Sequence, residues 1–249
     1  MKEREALLQR AAEARRGGRT TEAVAALGAV LDAWPADPMA HNMLGLIALE
    51  KEHYSDACFH FAKAAEADPN EAALWMNLAS AQRGNGQAEG ERTALQRAID
   101  VDQRNLMAQI RMAQLQQRLG ERQAAADSWG KVLALTAAMG DIPPALSETL
   151  DMARSYVREH KAQFAALIEA GVAENLSAAP ALGQRRFQAC LDHEFGRRAI
   201  YQNHCSGLHY PFLPADEFFD RAHFPWMEAL ERRTDAIRAE FLALVAQNG

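Results

Sequence analysis

A period of 34 residues governs the first half of this chain. Counted from Arg4, Pro38, Ala72 and Leu106, four consecutive blocks place Ala23, Ala57, Glu91 and Ala125 at the twentieth position. Leu27, Phe61, Leu95 and Trp129 fall at the twenty-fourth, and Val30, Ala64, Ala98 and Val132 at the twenty-seventh. The seventh and eighth positions hold Leu44-Gly45, Leu78-Ala79 and Met112-Ala113, with Arg10-Ala11 of the first block out of step. Pro35 and Pro69 lie one period apart. Self-similarity at this spacing predicts stacked helical hairpins, each of which leaves an apolar face bare until a neighbour covers it.

The residue types fit that packing. Small side chains where two helices cross let the backbones approach, and larger ones fill the groove alongside, so Gly45, Ala57 and Ala64 mark close approaches. Breaks fall at Gly17-Gly18, Gly84-Asn85-Gly86 and Gly120 within blocks, and at Pro35 to Pro38 and Asp68-Pro69-Asn70 between them. Glu91, Gln103 and Ala137 depart from the pattern. The second block, with Leu44, Gly45, Ala57, Phe61, Ala64 and Pro69, closely resembles the tetratricopeptide repeat. The fold expected is therefore all-α: a tetratricopeptide-type helical-hairpin solenoid with capping helices and an irregular, aromatic-rich C-terminal segment ending in a helix.

The resemblance implies a concave surface lined by the first helix of each hairpin, with its second, fifth, sixth and ninth positions facing inward. Those positions are Met39, Asn42 and Leu46 in the second block, Met76, Asn77 and Ser80 in the third, and Met107, Ile110, Arg111 and Gln114 in the fourth. Adaptable methionines beside amide and guanidinium donors suit an extended peptide: the thioethers repack and the donors fix the peptide backbone. A solvated groove without a ligand would carry the same residues. The clamp that some relatives use for acidic C-terminal tails is matched at Asn77 and Arg111 alone, so such tails are not the expected ligand.

Composition narrows the partners. The net charge is −6, and acids and bases are interspersed with no long Lys or Arg run, which excludes a stripe suited to phosphate backbones. Residues 1–16 are charged throughout and lack a secretory apolar core, and the apolar stretch from Leu44 to Leu49 is too short to span a bilayer. A cytoplasmic protein is expected, binding neither nucleic acid nor membrane. Three cysteines, Cys58, Cys190 and Cys205, stand at unrelated spacings and predict no disulfide framework. Cys58, beside Ala57, is expected to serve as a small hydrophobe.

The array should span 4–139. Asp141-Ile142-Pro143-Pro144 can start a new helix. Leu146, Leu150, Ala153 and Val157 recur at helical spacing, as do Phe164, Leu167, Ile168 and Val172, which predicts two helices capping the open end. Ser177 to Pro180 reads as a linker before a helix bearing Phe187, Leu191 and Phe195, and these elements fill 140–199. Beyond Tyr201 aromatics and prolines crowd together, predicting an irregular segment with a short helix from Ala215 to Asp220. A longer helix should begin near Trp226, with Met227, Leu230, Ile237, Phe241, Leu244 and Val245 on its apolar side.

Within 200–249, Gly207-Leu208-His209-Tyr210-Pro211-Phe212-Leu213-Pro214, then Phe224-Pro225-Trp226, then Leu230-Glu231 to Ile237-Arg238-Ala239-Glu240, resemble the opening of an aspartyl/asparaginyl β-hydroxylase domain. The resemblance implies an iron(II) and 2-oxoglutarate dioxygenase on a double-stranded β-helix, preceded by helical repeats. This sequence lacks the family's histidine before Gly-Pro and its later Leu-Arg-x-His, so the catalytic core is missing here. The resemblance therefore assigns no catalytic residue, no metal ligand and no cofactor to the chain itself. His204-Cys205 with His209 lacks recognised ligand spacing. His41 and His60 are expected at the surface or in the groove. The expected function is a protein-interaction module of a hydroxylase-like protein, inactive by itself as a dioxygenase. The alternative is a stand-alone adaptor or scaffold with no enzymatic activity.

Overall fold

The computed structural model describes residues 2–137, 139, 142–199, 221 and 224–247. Eight helices pair into four hairpins: α1 (Lys2–Arg16) with α2 (Thr20–Ala33), α3 (Pro38–Glu50) with α4 (Tyr54–Ala67), α5 (Ala72–Gly84) with α6 (Ala88–Val101), and α7 (Leu106–Arg118) with α8 (Arg122–Ala137). The second helices start at 20, 54, 88 and 122, and the first helices of the last three hairpins at 38, 72 and 106, so the 34-residue period of the sequence is also that of the backbone.

Local chemistry sets these boundaries. Asp37 caps α3, its carboxylate accepting the Ala40 N–H at 2.8 Å, with Pro38 in the first turn where its missing N–H costs nothing. Asn105 caps α7 in the same way through the Ala108 N–H at 3.0 Å. Asp37 is buried and also pairs with Arg4. Burial would raise its carboxyl, but the Arg4 and Ala40 hydrogen bonds outweigh that and hold it below the usual carboxylate value. The turn inside each hairpin passes through a left-handed residue at one repeated position: Gly18, Glu52, Gly86 and Gly120, at φ of +72°, +58°, +71° and +75°. Three hairpins use glycine there and the second does not.

Three larger clusters form the core of the array, with a small one of Ala64, Ala65 and Leu74 between α4 and α5. Leu8, Ala11, Ala23, Leu27, Val30, Ala40 and Ile47 join α1, α2 and α3. Ala48, Ala57, Phe61, Leu78, Ala79, Ala94, Leu95, Met112 and Leu115 join α3 through α7. Gly45 is required by this second cluster, because a Cβ there would stand 2.6 Å from Cδ1 of the buried Phe61 ring. Glu91 occupies the crossing position that is alanine in the other blocks. It is 2% exposed, and its Oε2 accepts the Arg118 Nη2 at 2.6 Å, tying α6 to α7.

The third cluster closes the array. After a 3-10 turn at Pro144–Leu146, helix α9 (Ser147–Ser177) buries Leu150 and Ala153 against Ile110, Ala113, Trp129 and Val132 of the last hairpin. The cap expected from the sequence is therefore present, but as the start of one 31-residue helix, not as two helices. Arg158 to Gln163 contains neither glycine nor proline, so nothing interrupts the backbone between the two apolar stretches. The chain divides into two compact units, Met1–Glu174 and Asn175–Gly249, with the boundary inside α9.

The second unit contains α10 (Ala181–Glu194), α11 (Met227–Glu231) and α12 (Thr234–Gln247). Pro180 precedes α10 and left-handed Gly196 follows it, so a proline starts the helix and a glycine ends it. The helix expected from Trp226 onward is two, separated at Arg232-Arg233. Thr234 Oγ1 donates to the Glu231 carbonyl at 2.7 Å at that break. Trp226, Leu230, Ile237 and Phe241 are all roughly half exposed or more. The expected helix from Ala215 to Asp220 and the His204, Cys205 and His209 group lie outside the described residues.

Candidate functional site

Alternate helices of a hairpin stack fall side by side, and α3, α5 and α7 accordingly exchange side-chain hydrogen bonds across one face of the array. Asn77 Nδ2 on α5 donates to Asn42 Oδ1 on α3 at 2.8 Å. On α7, Arg111 Nη1 donates to the Met76 carbonyl at 3.0 Å and to Ser80 Oγ at 2.9 Å. Ser80 in turn donates to the same Met76 carbonyl at 3.0 Å. Three consecutive hairpins are thus linked by Asn42, Asn77, Ser80 and Arg111, all half-buried. Each fixes its neighbour's rotamer, which reduces the ordering cost of binding anything laid across them.

The apolar members flank this ladder. Met39 and Met107 are 54% and 51% exposed, while Leu46 and Met76 are half-buried, as is Gln114. Ile110 departs from the expectation: it is 3% exposed and packs with Trp129, Val132, Leu150 and Ala153. The α9 cap takes up that position, so Ile110 belongs to the core and offers no surface to a ligand.

Arg111 is a half-buried charged group on this face. Burial pulls its guanidinium below the ordinary arginine value; Glu91 opposes that shift, and Arg83 and Arg118 add to it. Arginine keeps its charge even so. Among the described residues no carboxylate pairs with Arg111 or Arg83, whereas Arg118 is committed to Glu91. Arg83 stands one turn beyond Ser80 on α5, and Arg118 two turns beyond Arg111 on α7. Neither was expected at the site from sequence. The signal available was continuation of the inward stripe by one more turn, and what makes it significant is tertiary.

His41 and His60 are not simple surface residues. His41 is 5% exposed, its Nε2 faces the Pro35 carbonyl at 3.0 Å and its Nδ1 lies 3.1 Å from Nδ1 of His60. A carbonyl can only accept, so His41 carries its proton on Nε2 and receives a hydrogen bond from His60 Nδ1. Burial, then the neighbouring His41 ring, holds His60 below the usual histidine value. Cys58 packs against the second core cluster, and burial raises its thiol. Among the described residues no helix is long and apolar enough to cross a membrane.

Residues 40–71 match the tetratricopeptide repeat family. The chain is similar to MamA 41-end from Desulfovibrio magneticus RS-1 at 25% identity over 55% of this chain and 78% of that one, with a TM-score of 0.51. It is also similar to a second MamA structure, at 21% identity over 69% and 94% of the two chains and a TM-score of 0.52. YrrB, described as a TPR protein with an unusual peptide-binding site, aligns at 17% identity over 63% and 75% with a TM-score of 0.51. No curated protein matches the sequence. The hairpin array has the fold of a tetratricopeptide-repeat solenoid.

Proposed function

We propose that this chain is a protein-interaction module that holds an extended peptide across α3, α5 and α7. The observation that carries the reading is the ladder in which Asn77 bonds Asn42 while Arg111 spans from α7 to Met76 and Ser80 of α5. It leaves amide and guanidinium donors fixed in rotamer on a partly open face, between exposed methionines that can adapt to varied side chains. The description of YrrB as having a peptide-binding site supports the same use of the fold.

The finer reading is that the module serves an aspartyl/asparaginyl β-hydroxylase-like protein. What supports it is the Gly207 to Glu240 resemblance, together with the half-open apolar side of α11 and α12 at Trp226, Leu230, Ile237 and Phe241.

The binding reading is tested by panning a phage-displayed library of random dodecapeptides on the full chain and on an Asn77→Ala, Arg111→Ala double variant. Peptides enriched by the wild type and lost by an equally stable double variant are the expected result. Peptides that bind both proteins equally would remove this face from consideration.

A further inference from the structure

The arginines beside the ladder carry a charge excess that no carboxylate other than Glu91 pairs with among the described residues. Arg111 is held in place by the neutral Met76 carbonyl and Ser80 hydroxyl, not by an acid. Arg83, a turn from Ser80, is exposed and has no carboxylate partner among the described residues. Arg118 uses one nitrogen on Glu91 and remains partly exposed, and Glu91 is the acid that bears on Arg111. Three guanidiniums and one carboxylate leave two positive charges in excess, on a chain whose net charge is −6. Elsewhere in the array Arg10 and Arg19 meet Glu22, Arg15 meets Glu50 and Arg92 meets Glu121, whereas Arg16, Arg97, Arg104 and Arg122 stand singly along the surface with no ion pair among the described residues.

Like charges drawn together on a half-buried face repel one another, and a ligand carrying the opposite charge relieves that repulsion. Guanidinium forks match carboxylate oxygens in geometry and hydrogen-bond them through paired N–H groups. An excess of two suits two carboxylates better than one. The cluster also runs along the helices for two turns, from Arg111 to Arg118, a longer reach than one terminal carboxylate would need.

We propose that the partner is an acidic peptide, and that Arg83, Arg111 and Arg118 receive two neighbouring Asp or Glu side chains of its chain interior. This rests on the peptide-binding reading above, and adds the charge class and the place where it is read.

The same library tests it, with dodecapeptides displayed ahead of the coat protein so that no free C-terminal carboxylate is offered. Enrichment of paired acidic residues is expected. A synthetic copy of an enriched peptide, amidated at its end, should then bind about tenfold more weakly to Arg111→Gln and lose affinity as salt rises. Arg83→Gln, which removes no side-chain hydrogen bond or ion pair seen among the described residues, should weaken binding severalfold with an unchanged thermal melt. Replacing both acids of the peptide by Gln should abolish the difference between wild type and Arg83→Gln. Enriched peptides without acidic residues that still depend on Asn77 would overturn the acidic-partner proposal and leave the groove intact. Failure to enrich any peptide would overturn the binding reading itself.

Discussion

Replacing Gly45 by alanine sets two opposing effects against each other, and the structure decides which prevails. Alanine is favoured over glycine inside a helix by about 1 kcal/mol. The new methyl, however, would lie 2.6, 2.7 and 3.0 Å from Cδ1, Cε1 and Cγ of Phe61. Carbon atoms rest at about 3.5–4.0 Å, so the overlap approaches 1 Å along one side of the ring. Phe61 is fully buried in a cluster with Ala57, Leu78, Ala79 and Leu95, which leaves the ring no vacant direction. Overpacking of this kind costs about 1–3 kcal/mol, so Gly45→Ala should destabilise by about 1 kcal/mol after the helical gain. Gly28 in α2 is the control: nothing lies within 4 Å of its added Cβ, and Gly28→Ala should stabilise by about 0.5–1 kcal/mol. Urea denaturation followed by circular dichroism measures both. Phe61→Leu made in the Gly45→Ala background should cost less than in the wild type, a coupling above about 0.5 kcal/mol. Equal stabilisation at both glycines with no coupling would refute the packing argument.

Other outcomes follow from particular residues. Glu91→Ala restores the alanine found at this position in the other blocks and should leave stability unchanged or raised, whereas Arg118→Ala strands a buried carboxylate and should cost about 1–3 kcal/mol in the same denaturation assay. Glu52→Gly puts glycine at the left-handed turn position that the other three hairpins fill with glycine, and should raise the unfolding midpoint by about 0.5–1 kcal/mol equivalent. His60 is held below its ordinary value of 6.5, so the unfolded chain takes up a proton first as pH falls. Stability should therefore be flat above pH 6.5 as far as His60 is concerned, and fall below it toward the folded-state value. His60→Gln should flatten that part of the curve in denaturation midpoints taken from pH 7.5 to 5.5.

The hairpin array was legible because its determinants are local and repeated. Small residues recur at each crossing, and glycine, proline or a capping Asp or Asn recurs at most boundaries, so helix starts at 38, 72 and 106 coincide with the block starts read from sequence. The continuity of α9 was obscured by reading two apolar stretches as two elements, although Val157 and Phe164 are seven residues apart and keep one helical stripe in phase. The site was legible in part. Asn42, Asn77, Ser80 and Arg111 follow from position within the repeat. Ile110 occupies an equivalent position yet is covered by a cap whose docking no periodicity specifies. The importance of Arg83 and Arg118 depends on which acids fold near them. The burial of His41 depends on the Pro35 carbonyl reaching it across a turn.

The claim that a peptide lies across α3, α5 and α7 is tested most directly by the methionine methyl resonances of the full chain. Nine methionines are distributed along it, and methyl-labelled protein assigned by single Met→Leu variants reports each separately. On titration with a library-selected peptide, the resonances of Met39, Met76 and Met107 should shift together with one affinity, while Met152 and Met227 stay in place. Shifts confined to Met152 or Met227, with the three groove methionines unmoved under saturating peptide, would contradict the account.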